Sequence, residues 1–79
     1  MKIQVLVRLK NGVLDPQGKA VEKSAEKMGF KGFSNFRIGK LIEFETDLPK
    51  EEAVEEAKKL ADKLLANPVI ESYEVKVEE

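Results

Sequence analysis

Cysteine and histidine are both absent from these 79 residues. Their absence excludes disulfides, thiol nucleophiles, zinc sites of the Cys/His type and histidine acid–base catalysis together. Aromatic residues make up only 6% of the chain, so the core must be thin. No global positive field exists to gather phosphates, because the 14 Lys and Arg are balanced by 15 Asp and Glu. A nucleic-acid partner is therefore not expected. No run approaches the roughly 18 apolar residues of a membrane span. Met1 to Lys10 alternates polar with apolar residues where a signal peptide needs an unbroken apolar run, so a cytoplasmic setting is expected. The length leaves room for a single domain, taken as 1–79. A chain this short buries only about 60% of the surface its unfolded form exposes, which favours self-association.

What is present is clear periodicity. Ile3, Val5, Val7 and Leu9 recur at period two, with Leu6 as the exception, and predict a half-buried strand over Lys2 to Lys10. Asn11-Gly12 breaks it. Asp15-Pro16 then supplies a helix start, with the carboxylate capping orphan N–H groups and proline at the first helical position. That helix is expected to reach about Met28, to turn Val21, Ala25 and Met28 inward, and to end on a left-handed Gly29. Phe33 to Ile38 and Leu41 to Thr46 are rich in aromatic and β-branched residues and predict a hairpin closed by Gly39-Lys40. Leu48-Pro49 opens a longer helix to about Asn67. Its stripe of Ala53, Val54, Ala57, Leu60, Ala61, Leu64 and Leu65 is expected to face the core, with Leu60 and Leu64 at the centre. Acidic residues crowd its first half and lysines its second, which suits the helix dipole and pairs such as Glu55 with Lys59. Tyr73, Val75 and Val77 mark a last strand.

The order strand, helix, strand, strand, helix, strand is the split βαβ pattern of the α+β, ferredoxin-like class. It predicts a two-layer βαββαβ domain with a four-stranded antiparallel sheet and two helices on one face. In the spatial order 4-1-3-2, Arg8 and Lys10 would lie beside Glu43, Glu45, Glu74 and Glu78 on the uncovered face.

The motifs carry little independent chemistry. Lys31-Gly32-Phe33 matches the opening of an RNA-binding strand motif, but it stands before the wrong strand and Asn35 replaces a base-stacking aromatic. No glycine-rich phosphate loop or catalytic constellation occurs. Gly18 in the first turn of a helix is unfavourable by up to about 1 kcal/mol relative to alanine, and so points to a close backbone approach. Arg37 and Lys40 flank Gly39 at the expected hairpin tip, where two cations would suit a carboxylate or phosphate.

Three segments acquire a further meaning when taken together: Gly12-Val13-Leu14-Asp15-Pro16-Gln17-Gly18-Lys19-Ala20-Val21, Arg37-Ile38-Gly39-Lys40, and Lys63 to Tyr73. In order and spacing the chain resembles the PurS family, small subunits of phosphoribosylformylglycinamidine synthase. It departs from the family's usual pattern in its aromatic Phe30 to Phe36 and in carrying Ala61 where many members have cysteine. The resemblance implies a PurS-like fold and a non-catalytic subunit of a purine-biosynthetic ligase complex. That subunit would bridge a glutaminase (PurQ-like) and an ATP-dependent synthetase (PurL-like) and assist ammonia transfer. It would form a homodimer or a dimer of dimers and hold no cofactor, ATP and Mg being used by the synthetase. Asp15, Pro16, Gln17, Gly18, Arg37, Gly39 and Lys40 are the polar features assigned to partner contact; no catalytic or metal residue is assigned. A small-molecule sensor of the ACT type shares the element order and is the alternative.

Overall fold

The computed structural model describes residues 1–78. Alternation in the first segment produces β1 (Lys2–Leu9), whose Ile3, Val5 and Val7 are completely buried. β1 lies between two antiparallel neighbours, β2 (Lys40–Glu45) and β3 (Glu71–Glu78). Register fixes the faces: Phe44 and Ile42 stand opposite Ile3 and Val5 on one side, Val77, Val75 and Tyr73 opposite Ile3, Val5 and Val7 on the other. All of these share the core face. The opposite face carries Lys2, Gln4, Leu6 and Arg8 with their cross-strand partners. There Lys2 pairs with Glu43 at 3.0 Å and Arg8 approaches Glu74 at 4.0 Å. Opposite charges do sit side by side, but Glu43 belongs to Lys2 and Gln4 rather than to Arg8. Lys10 turns off the sheet to donate to the Pro68 carbonyl at 2.7 Å.

The sheet has three strands, not four, among the described residues. Phe33 to Ile38 forms no strand, and no hairpin joins it to β2. Gly32 and Asn35 both adopt left-handed backbone, at φ 89° and 58°, which breaks an extended run. The segment's backbone groups are also engaged elsewhere. Phe36 N–H donates to the Glu22 carboxylate and Ile38 N–H to that of Asp15, so side chains from the first helix occupy donors that a ladder would need. Aromatic content suggested a strand; local hydrogen bonding overrode it.

That first helix, α1 (Pro16–Lys27), starts and ends where expected, with Asp15 as N-cap and Gly29 left-handed at φ 93°. Its placement differs from the expected two helices on one face. Val21 and Met28 remain 42% and 74% exposed, because α1 packs on none of the strands to any extent. The chain is accordingly elongated, 48 × 27 × 15 Å, with a radius of gyration of 15.8 Å. A compact domain of this length would have about 12 Å.

The second helix, α2 (Lys50–Leu60), does cover the sheet, lying over β1 and β3. Its buried residues are Ala53 and Ala57, joined by Ala61 just past its end, so small side chains let the helix axis approach Ile3, Val5 and Val7 closely. The stripe therefore turns in on its alanines, with Leu60 at the margin and Leu64 73% exposed. Leu64 is displaced because α2 continues into a π-helical turn (Ala61–Leu65), closed by Ala66 N–H on the Ala61 carbonyl at 2.8 Å. The wider turn brings Leu65 and Ala66 to the core in place of Leu64. Lys59 pairs with Glu56 at 3.6 Å, not with Glu55. The Asn67 carboxamide then caps the following turn by accepting from Val69 N–H at 3.1 Å, which delivers the chain into β3.

Ile3 is the test of this arrangement. Ile3→Ala should destabilise the fold by about 2–5 kcal/mol, read from the shift in urea midpoint at constant protein concentration.

Candidate functional site

Two of the segments singled out by sequence meet at the root of α1. Asp15 is 5% exposed, and both of its carboxylate oxygens accept backbone N–H groups: Oδ1 from Gly18 at 2.8 Å, Oδ2 from Ile38 at 2.8 Å. The first is the expected helix cap. The second ties α1 to the chain entering β2, and sequence reasoning gave no sign of it. The Ile38 and Gly18 hydrogen bonds, aided by the nearby Arg37 charge, hold the Asp15 carboxyl below the usual carboxylate range despite its desolvation.

Gly18 and Gly39 explain themselves by what a side chain would strike. A Cβ on Gly18 would overlap the Phe36 carbonyl oxygen, so the close backbone approach expected there is real. Its neighbour is a loop rather than a strand. A Cβ on Gly39 would lie 2.7 Å from the Val7 carbonyl oxygen. Gly39 is thus a packing glycine at the entry to β2, not part of a two-residue turn.

Arg37 is exposed but is bonded within its own chain. Its guanidinium donates to the Val13 carbonyl at 3.0 Å and the Lys10 carbonyl at 3.2 Å, tying down the loop after β1. It does not stand at a hairpin tip beside Lys40, and reversing its charge would break contacts within the chain. Lys40, the first residue of β2, is exposed.

Between α1 and the sheet end opens a cleft of about 280 Å³ lined by Val7, Leu9, Asp15, Pro16, Gln17, Ile38, Gly39, Lys40 and Glu71. Five of the seven predicted contact residues line it: Asp15, Pro16, Gln17, Gly39 and Lys40. Gly18 and Arg37 do not line it. Glu71 was not singled out individually, although it belongs to the Lys63 to Tyr73 segment. Its carboxylate accepts from Asn67 N–H at 2.6 Å. The floor is apolar and the rim polar. Each Asp15 oxygen accepts a backbone N–H, so this carboxylate serves to hold the cleft's wall in place. Among the described residues no group of three or more acidic side chains is placed to hold a metal ion.

Comparison with known proteins bears on what this surface serves. The model of the family PurS, phosphoribosylformylglycinamidine (FGAM) synthase, matches residues 2–79. The chain belongs to the PurS family. It is 40% identical over 78 residues to the PurS subunit of Methanocaldococcus jannaschii, covering 98% of this chain and 94% of that one. To the Bacillus subtilis subunit it is 41% identical over 78 residues, covering 99% and 93%. The B. subtilis PurS crystal structure superposes with a TM-score of 0.89, covering 99% of this chain and 98% of that one at 41% identity. A structure of PurLQS from Thermotoga maritima includes a chain similar to this one at TM-score 0.78 and 32% identity, covering 95% and 93%.

Two measurements check the root of α1. Gly18→Ala should cost about 1–3 kcal/mol through overpacking against Phe36, a loss visible as a lower urea midpoint. For Asp15 the sign is fixed by its lowered carboxyl: the unfolded chain takes up its proton more readily, so stability falls as pH drops below about 4. Asp15→Asn should lower the melting temperature at neutral pH and flatten that acid limb.

Proposed function

We propose that this chain is the non-catalytic PurS subunit of a phosphoribosylformylglycinamidine synthase, acting in purine biosynthesis. What carries the reading is likeness to PurS proteins along nearly the whole chain, including one within a PurLQS structure. The chain's own chemistry supports it. It has no cysteine or histidine, and its buried carboxylate is committed to backbone donors.

On this reading the chain bridges a glutaminase (PurQ-like) and a synthetase (PurL-like). Ammonia released into neutral water is mostly protonated and hence non-nucleophilic. A subunit that holds the two enzymes together and keeps water out of the path serves the reaction without performing a step. ATP and Mg act on the synthetase, and this chain holds no cofactor. The cleft at the α1 root, with Pro16, Gln17 and Lys40 on its rim, is the surface we assign to partner contact. The protein works in the cytoplasm and self-associates as a dimer or a dimer of dimers. Two open sheet edges and a helix left unburied by its own sheet favour such association.

Reconstitution tests the role. Omission of this chain should abolish glutamine-dependent synthesis while largely sparing synthesis from high external ammonium. Equal loss of both activities would instead place the chain at the synthetase site. Lys40→Glu, on an exposed side chain, should leave the melting temperature unchanged and weaken co-elution with the two partners.

A further inference from the structure

We infer that the cleft at the α1 root binds a free α-amino acid with an apolar side chain, its carboxylate on Lys40, its ammonium on Glu71 and its side chain against the floor. The inference goes beyond the subunit role and gives the same surface a small-molecule ligand.

Strand register shows what is unusual at this place. Ile42 and Phe44 of β2 and Tyr73, Val75 and Val77 of β3 share the core face, and the same alternation carries Lys40 and Glu71 onto that face. Lys40 stands opposite Val7, and Glu71 stands opposite Leu9 on the other side of β1. Two charges of opposite sign therefore flank an apolar floor, at positions that are apolar elsewhere along both strands. Among the described residues neither charge joins an ion pair. Glu71 accepts Asn67 N–H on one carboxylate oxygen, which orients the group and leaves the other oxygen for a ligand. Two strand spacings and two residues of rise set the Cα atoms of Lys40 and Glu71 about 12 Å apart. Their side chains can narrow that gap to the span of one zwitterion.

The lining selects among occupants. A phosphate would find a single cation and the carboxylates of Glu71 and Asp15, whereas a polyamine would meet Lys40. An uncharged apolar ligand would strip water from both charges and return no partner to either. An internal peptide segment offers neutral amides where the charges stand. A free α-amino acid carries one charge of each sign on a single carbon, with a side chain to cover Val7, Leu9 and Ile38. It thus answers the cation, the anion and the floor together, through charge-assisted hydrogen bonds at both ends. The cleft's volume of about 280 Å³ lies just below that of drug-sized ligand sites and suits a small metabolite.

NMR titration of the isotopically labelled full-length chain tests this without either partner enzyme. L-Leucine and L-methionine are the probes, each beside its N-acetyl derivative, which lacks the ammonium, and its amide, which lacks the carboxylate. Saturable shifts at the backbone amides of Val7, Leu9, Gly39, Lys40 and Glu71 are expected with the free amino acids. Either blocked form should bind at least about tenfold more weakly. Lys40→Met should equalise the acid and its amide, and Glu71→Gln the free and acetylated amines, the new side chain keeping an oxygen for Asn67 N–H. Absence of shifts at the cleft with millimolar amino acid overturns the inference, as does equal affinity for the blocked forms. Tighter binding of a doubly blocked residue also overturns it, since the cleft would then be a seat for a peptide segment. Co-elution of the unmodified chain with glutaminase and synthetase, measured without amino acid, judges the subunit role separately. Retained co-elution without amino-acid binding rejects the ligand alone.

Discussion

A single carboxylate sets the course of the chain. Asp15 accepts N–H groups from Gly18, three residues ahead, and from Ile38, twenty-three residues ahead, on separate oxygens. One hydrogen bond starts a helix; the other stops the returning chain from becoming a strand and aims it into β2. An amide would present only one oxygen to these two donors, and a hydroxyl is too short to span them. Buried as it is, the anion depends on those donors and on the neighbouring Arg37 charge to offset its desolvation. Gly18 and Gly39 follow from the same constraint. Once the chain is drawn this close, Phe36 and Val7 leave no room for a Cβ at either position.

The second determinant is the size of the residues beneath α2. Three alanines let the helix lie close on Ile3, Val5 and Val7, which gives a tight core of small volume. Short apolar side chains bury little area each, and the single chain leaves Met28, Phe30 and Phe33 largely in water and Val21 partly so. The extended outline is a consequence. A chain that neither gathers α1 onto its sheet nor closes its sheet edges leaves apolar surface available to other chains, which suits the subunit role proposed above.

Where the sequence was legible, local physics and tertiary structure agreed. β1 shows alternation because one of its faces is completely buried, and α1 shows its cap because Asp15-Pro16 acts within one turn. The central placement of β1 between β2 and β3 follows the expected order, and the family was readable from the spacing of three segments. The errors share a cause. Phe33 to Ile38 has strand composition but donates to side chains of α1, a contact no local pattern announces. Leu60 and Leu64 sit at α-helical spacing, yet a π-helical turn rotates the face, and nothing in Ala61-Asp62-Lys63-Leu64-Leu65 signals the change of period. Arg37 and Lys40 looked like one cationic pair because they are neighbours in sequence. The fold turns one into its own loop and leaves the other at the mouth of the cleft. At the candidate site, Gly18 gave notice of crowding without showing what crowded it, whereas Gly39 read as a turn glycine and proved to be a packing one.

The cleft and the start of α1 are built from the same residues. Asp15 and Pro16 line the cleft and begin the helix, while Ile38 and Gly39 line it from the chain entering β2, with Ile38 N–H on the Asp15 carboxylate. The hydrogen bonds that direct α1 therefore also shape the cleft within a single chain. A group that enters it meets a surface already ordered by the fold, so binding there costs little additional ordering.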